Sequence, residues 1–185
     1  MKVRAVRETS TGRDAALIES IKKGELDSLG VLYDLYAPDL IRFAARLCVK
    51  SEAEDVVQNV FIRVLKIAGS FDPEAPSARP WLFAIAVRVL HERNRSVRRL
   101  ATALLRLGME STERHSQPTV DGASDVARAL ERLASKKRAV LILAEVEGFS
   151  CAEIAAMLEV PIGTVWTRLH HARRELRVLL ERSEP

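Results

Sequence analysis

Cysteine is nearly absent: Cys48 and Cys151 are the only two in 185 residues, and neither sits in a Cys-x-x-Cys or Cys/His spacing. That offers no framework for a structural zinc. Cys151 follows Ser150 at an expected helix start, where the helix dipole favours a thiolate, though a small buried thiol is the plainer expectation. Aromatic residues make up only 5% and glycines number eight, while Ala, Leu, Arg and Glu abound, a balance that favours helices. No apolar run approaches the roughly 18 residues that span a bilayer, and the first twenty residues lack the apolar core of a secretion signal. A cytoplasmic chain with no membrane insertion is expected. An excess of one charge is also missing, since the net charge is only +4. A nucleic-acid surface must therefore come from local clusters, and these stand at Arg93–Arg99 and Arg168–Arg177. There is no Ser/His/Asp, metal-ligand or Gly-rich phosphate constellation, so no catalytic residue, metal or cofactor is expected.

Residues 1–12 are polar and irregular, which reads as a loose N-terminus. A first helix is expected from Arg13 to Lys23 with Ala16, Leu17, Ser20 and Ile21 on one face. Leu29, Leu32, Tyr33, Tyr36, Leu40, Phe43, Ala44 and Leu47 recur at three- and four-residue steps, so a second helix follows, kinked or broken at Pro38. Ser51 and Glu54 have the spacing of a capping box. The helix they open should run to Ala68 and stop at Gly69, burying Val56, Val57, Val60, Phe61, Val64, Leu65 and Ile67. Residues 70–79 hold two prolines and should be a loop.

Pro80 then opens a helix of about five turns whose character changes halfway. Trp81 to Leu90 is almost wholly apolar, whereas Arg93, Arg95, Arg98 and Arg99 crowd the next part. Four guanidiniums so close together repel one another, and a polyanion would relieve them. The alternative is a solvated helix end whose cations offset the negative C-terminal dipole. Residues 108–124 have no apolar period and carry the composition of a linker. Beyond it, helices are expected over 126–134 and 135–145, packed through Val126, Leu130, Leu133, Val140, Leu141 and Leu143. A second capping box, Ser150 to Glu153, starts a short helix to Leu158, and a brief turn leads into a long helix from Ile162 to Arg182.

Two helices joined by so short a turn, the second long and basic, suggest a helix-turn-helix whose second helix enters the major groove. At 100° per residue, Val165, Leu169, Ala172, Leu176 and Leu179 fall inward. Gly163, Thr167, His170, His171 and Arg174 lie opposite, flanked by Trp166 and Arg168. Trp166 either folds back on the core or packs on DNA sugars and thymine methyls. His170 and His171 diverge by about 100° and cannot share one metal.

Three stretches occur in order across the linker: EDVVQNVF (Glu54–Phe61), PWLFAIAVR (Pro80–Arg88) with its arginine-rich tail, and EIAAMLEVPIGTVWTRLHHAR (Glu153–Arg173). Together they resemble the bacterial extracytoplasmic-function sigma factors of the sigma-70 family. The resemblance implies an all-α chain of two small helical domains joined by a flexible linker. Sigma region 2 would occupy 13–107, the linker 108–124 and the region 4 helix-turn-helix 125–185. It implies a transcription initiation factor, not an enzyme, that partners core RNA polymerase through its clamp helices and flap, binds promoter DNA, and is held by an anti-sigma factor. Polymerase binding would fall to Asp55, Gln58 and Asn59. Minus-10 recognition and melting would fall to the 70–79 loop with Arg79, Trp81, Arg88, Glu92, Arg95, Arg98 and Arg99. Minus-35 reading would fall to Thr164, Trp166, Thr167, Arg168, His170, His171 and Arg174.

The chain departs from the family pattern in four places. Arg88 stands where the family has Asn, Trp166 where Lys or Arg is common, His171 where a basic residue is frequent, and Glu159 where the turn has Gly. A left-handed Glu159 would cost about 1 kcal/mol. Two other readings of the residues remain: a stand-alone helix-turn-helix regulator, and a helical adaptor without nucleic acid.

Overall fold

The computed structural model describes residues 11–106 and 125–182. All regular structure in them is helical: α1 (Thr11–Lys22), α2 (Leu26–Ala45), α3 (Ala53–Ile67), α4 (Arg79–Arg106), α5 (Asp125–Arg132), α6 (Ser135–Glu145), α7 (Cys151–Leu158) and α8 (Ile162–Glu181). The described residues fall into two compact units. One takes α1 to α3 and α4 as far as Val89; the other takes 46–50, the rest of α4 and α5 to α8. The expected linker at 108–124 lies outside the described residues, as do residues 1–10. No helix among the described residues is long and apolar enough to cross a membrane.

In the first unit α2 packs against α1 and α3. Leu32, Leu40, Phe43, Val57, Val60, Val64, Leu82 and Phe83 are fully shielded from water. Phe43 meets Phe83 with ring centroids 5.0 Å apart, and Tyr33 meets Phe61 at 4.9 Å. The inner residues of α1 are Asp14, Ile18 and Ile21, whereas Ala16, expected inside, is exposed. The register turns because Asp14 is itself a core residue, 1% exposed. Its carboxylate accepts hydrogen bonds from the Tyr36 hydroxyl and, at 2.8 Å, from the Ala78 N–H. One side chain thus ties α1, α2 and the approach to α4.

Three expectations are corrected here. Pro38 does not break α2, which runs through it from Leu26 to Ala45 with the proline at an exposed position. Ser51 does not cap α3. A 3₁₀ turn over Lys50–Glu52 precedes the helix, the N-cap is Glu52 with already helical backbone, and no side chain caps it. Gly69 is not a left-handed stop either, since α3 gives way to a second 3₁₀ turn, Ala68–Ser70.

In the second unit α6 and α7 pack against α8, and α5 also rests on α8. Ala129, Leu133, Val140, Ile142, Leu143, Ile154, Val165, Leu169 and Ala172 are buried. Leu176 and Leu179 are half-buried, and Val126, expected inside, is exposed because Ala129 takes the inward position of α5. The capping box at α7 forms in full. The Ser150 N–H donates to Glu153 Oε2 at 2.7 Å, and the Glu153 N–H donates to Ser150 Oγ at 3.2 Å. Between α7 and α8, Glu159 takes the left-handed conformation at φ 53°, the one non-glycine residue with positive φ among those described. Cys151 is half-buried rather than enclosed.

Candidate polymerase and promoter interfaces

The outward side of α3 follows from its inward side. Val57, Val60, Phe61 and Val64 fill one face, so Asp55, Gln58 and Asn59 must emerge on the other, and all three are exposed. Asn59 Nδ2 donates to the Asp55 carbonyl at 2.8 Å, which fixes its amide along the helix. Two apolar residues share this exposed side. Ile62 is 50% exposed and Leu65 43%. Leu65 was expected in the core, but it lies beside Gln58 at the rim of the stripe, and Ala68 closes the core in its place. Ile62 carries no sign of its exposure in a valine- and isoleucine-rich helix; only its spacing of four from Gln58 and seven from Asp55 gives it away.

The loop between α3 and α4 is anchored at both ends. At its start, Ser70 Oγ donates to the Ile67 carbonyl at 2.8 Å and accepts from Trp81 Nε1 at 3.3 Å. Phe71 is buried and meets the Trp81 ring edge-on at 5.4 Å. At its end, the Asp14 carboxylate takes the Ala78 N–H. Between these anchors, Asp72 Oδ1 accepts the Glu74 N–H at 3.0 Å, and residues 72–77 are exposed or half-buried. Ser70, Phe71 and Asp14 were not singled out from the sequence as supports of this loop.

Along α4, Trp81, Arg88, Glu92, Arg95 and Arg99 fall within about 60° of the helix circumference and over about 27 Å of its length. Trp81 is half-buried and the other four are exposed. Arg79 is half-buried, its guanidinium 4.6 Å above the Phe83 ring. The Arg98 side chain lies outside the described residues. The stripe's indole and Arg88 guanidinium belong to the first unit, and its Glu92 carboxylate and the Arg95 and Arg99 guanidiniums to the second.

In the second unit Trp166, Thr167, His170, His171 and Arg174 are exposed along α8, while Thr164 and Arg168 are half-buried. Trp166 stands 58% exposed and does not fold back on the core. The two imidazoles meet edge-on with centroids 5.7 Å apart. Thr167 Oγ1 donates to the Gly163 carbonyl at 2.8 Å. On another side of α8, Arg173 Nε reaches Glu145 Oε1 at 2.8 Å, and Lys137 pairs with Glu175, fixing α8 to α6. A groove floored by Leu141, Leu176 and Leu180 lies beside the Arg173–Glu145 pair. Among the described residues no group of three His, Cys, Asp or Glu side chains could hold a metal.

Two family models match the chain: sigma-70 region 2 over residues 32–100 and sigma-70 region 4 over 124–176. An extracytoplasmic-function (ECF) RNA polymerase sigma factor of Mycobacterium tuberculosis, SigL, is 34% identical over 171 residues, covering 90% of this chain and 96% of that one. SigW of Bacillus subtilis, another ECF sigma factor, is 31% identical, covering 86% and 92%. Among solved structures, the sigma factor RpoE bound to the anti-sigma factor NepR, from Bartonella quintana, has a TM-score of 0.67 at 28% identity, covering 82% of this chain and 96% of that one. CnrH, solved with the cytosolic domain of CnrY, has a TM-score of 0.64 at 26% identity, covering 93% and 99%. With both region models matched in order and relatives aligned over nearly their full length, the chain belongs to the ECF sigma factors of the sigma-70 family.

Proposed function

We propose that this sigma factor docks on the polymerase clamp helices through the exposed side of α3 and reads its promoter at two points. The observation that carries the reading is the outward stripe of Asp55, Gln58, Asn59, Ile62 and Leu65, two of them large apolar residues left in water. A carboxylate and two amides fix orientation there, and the apolar pair supplies the area that drives association. Region 2 comprises 13–107 and region 4 comprises 125–185, tethered by 108–124.

Minus-10 recognition falls to the anchored loop and the α4 stripe. Opening a few base pairs costs several kcal/mol, recovered when unstacked bases are held in pockets or against aromatic and guanidinium faces. Arg79, Trp81, Arg88, Glu92, Arg95, Arg98 and Arg99 provide such faces and neutralise phosphate. Trp81 acts from within the loop's anchor, since Ser70 and Phe71 hold it. Minus-35 reading falls to Thr164, Trp166, Thr167, Arg168, His170, His171 and Arg174 on or beside the outer face of α8. The apolar groove beside the Arg173–Glu145 pair suits the polymerase flap. RpoE is solved in complex with an anti-sigma factor, and an anti-sigma factor that covered these surfaces would restrain this chain in the cytoplasm.

The chemistry of initiation belongs to polymerase, and this chain supplies position and strand capture. Asp55→Ala combined with Gln58→Ala tests the docking. The pair should lower affinity for core RNA polymerase at least tenfold in a direct binding assay while the melting temperature stays within 2 °C, a range expected of surface changes. Unchanged affinity would move the docking surface elsewhere.

A further inference from the structure

The first six residues of α8, ahead of the half-buried Arg168, lack the side chains that read bases with paired hydrogen bonds. Arginine forks onto guanine and Asn or Gln onto adenine, yet the helix begins Ile162, Gly163, Thr164, Val165, Trp166, Thr167. Val165 is buried and Thr164 half-buried. Thr167 has already given its hydroxyl proton to the Gly163 carbonyl. What these turns present is apolar: Trp166 is 58% exposed and Ile162 39%. At a spacing of four residues they lie one above the other, Cβ atoms about 5–6 Å apart. A Cβ on Gly163, between them along the chain, would meet nothing within 4 Å beyond its chain neighbours and the nearby backbone of its own helix. Internal packing therefore does not demand a glycine, and the open space lets a groove wall approach the backbone.

Charge says which surface this apolar patch meets. His170 and Arg174 continue the exposed face toward the C-terminus, and His171 lies beside them. A patch with a cationic and imidazole continuation suits an apolar group set among phosphates and base acceptors. The major groove of DNA presents one such group, the C5-methyl of thymine. We infer that α8 selects its duplex by thymine methyl contact through Trp166 and Ile162, with Ile162 a specificity-determining residue not identified from the sequence. The inference rests on the minus-35 reading above and names the chemistry that is read.

Holoenzyme reconstituted from the full chain and core RNA polymerase is used to select duplexes from a library randomised over the upstream element. The selected duplex is remade with deoxyuridine at each thymine in turn, which removes one methyl group and leaves every hydrogen bond. At one or two positions deoxyuridine should weaken binding about fourfold, the effect of withdrawing one methyl-sized apolar group. Trp166→Ala and Ile162→Ala, both at exposed positions, should weaken the thymine duplex and erase that difference. Where cytosine replaces the critical thymine, 5-methylcytosine should recover part of the loss. If deoxyuridine equals thymine everywhere while an upstream element is still selected, the methyl inference falls and the minus-35 reading stands. If no upstream element is selected and substitutions on α8 change nothing, both fall.

Discussion

Asp14 shows how one side chain can set the geometry of a distant loop. It is buried, it accepts from Tyr36 and from the Ala78 N–H, and no apolar replacement can serve both donors. Asp14→Ala should cost about 2–3 kcal/mol, because a buried N–H and a half-buried hydroxyl lose their acceptor, with Asp14→Asn recovering part of it; thermal melting compares them. Tyr36 adds a pH signature. Burial and, after it, the Asp14 hydrogen bond raise the phenol's pKa above its ordinary value. A folded-state pKa raised above the unfolded one means the proton is held more tightly in the native protein. That share of stability is complete below about pH 10 and is lost as pH climbs through the raised value. Tyr36→Phe should flatten the alkaline fall in melting temperature, and an equal fall in both proteins would contradict the assignment. Glu159 is the residue-scale counterpart in the second unit. Its left-handed backbone was foreseen as a cost, and Glu159→Gly should raise stability by up to about 1 kcal/mol in a denaturant titration.

At the scale of elements, two identical sequence signals had opposite outcomes. Ser51-x-x-Glu54 and Ser150-x-x-Glu153 both spell a capping box, yet only the second forms one. Ser150 has extended backbone, so its side chain folds back over the first turn; the chain enters α3 already helical at Glu52, after a 3₁₀ turn, and leaves no such break. Ser150→Ala should therefore destabilise the second unit by about 1 kcal/mol while Ser51→Ala stays within experimental error, measured by melting each variant. Periodicity placed most of the α3 core and the inward residues Val165, Leu169 and Ala172 of α8 correctly. It misplaced Leu65 because hydrophobicity alone does not say whether a rim residue faces core or partner. It missed Ile18 and the loop anchors because Asp14, Ser70 and Phe71 act through contacts across 64, 11 and 10 positions of chain, which no local pattern encodes. The faces of α3 and α8 were legible because a helix with one apolar side has only one other side to offer.

For the whole molecule, the proposed division of labour gives the exposed side of α3 to polymerase, the cationic stripe of α4 to separated strands, and the outer face of α8 to duplex. The stripe makes a quantitative claim about salt. Replacing Arg95, Arg98 and Arg99 with Ala should slow promoter opening and flatten its dependence on log salt by about two to three units, since each phosphate contact contributes about 0.7–0.9. An unchanged slope would show that those arginines meet no phosphate. As an ECF sigma factor, this chain should confer start-site choice on core RNA polymerase. Transcription in vitro with core RNA polymerase, the full chain and fragmented chromosomal DNA, followed by mapping of RNA 5′ ends, tests it most directly. Starts that depend on the chain and share two sequence elements at fixed spacing are expected; transcripts whose starts are the same with and without it would overturn the two-point reading.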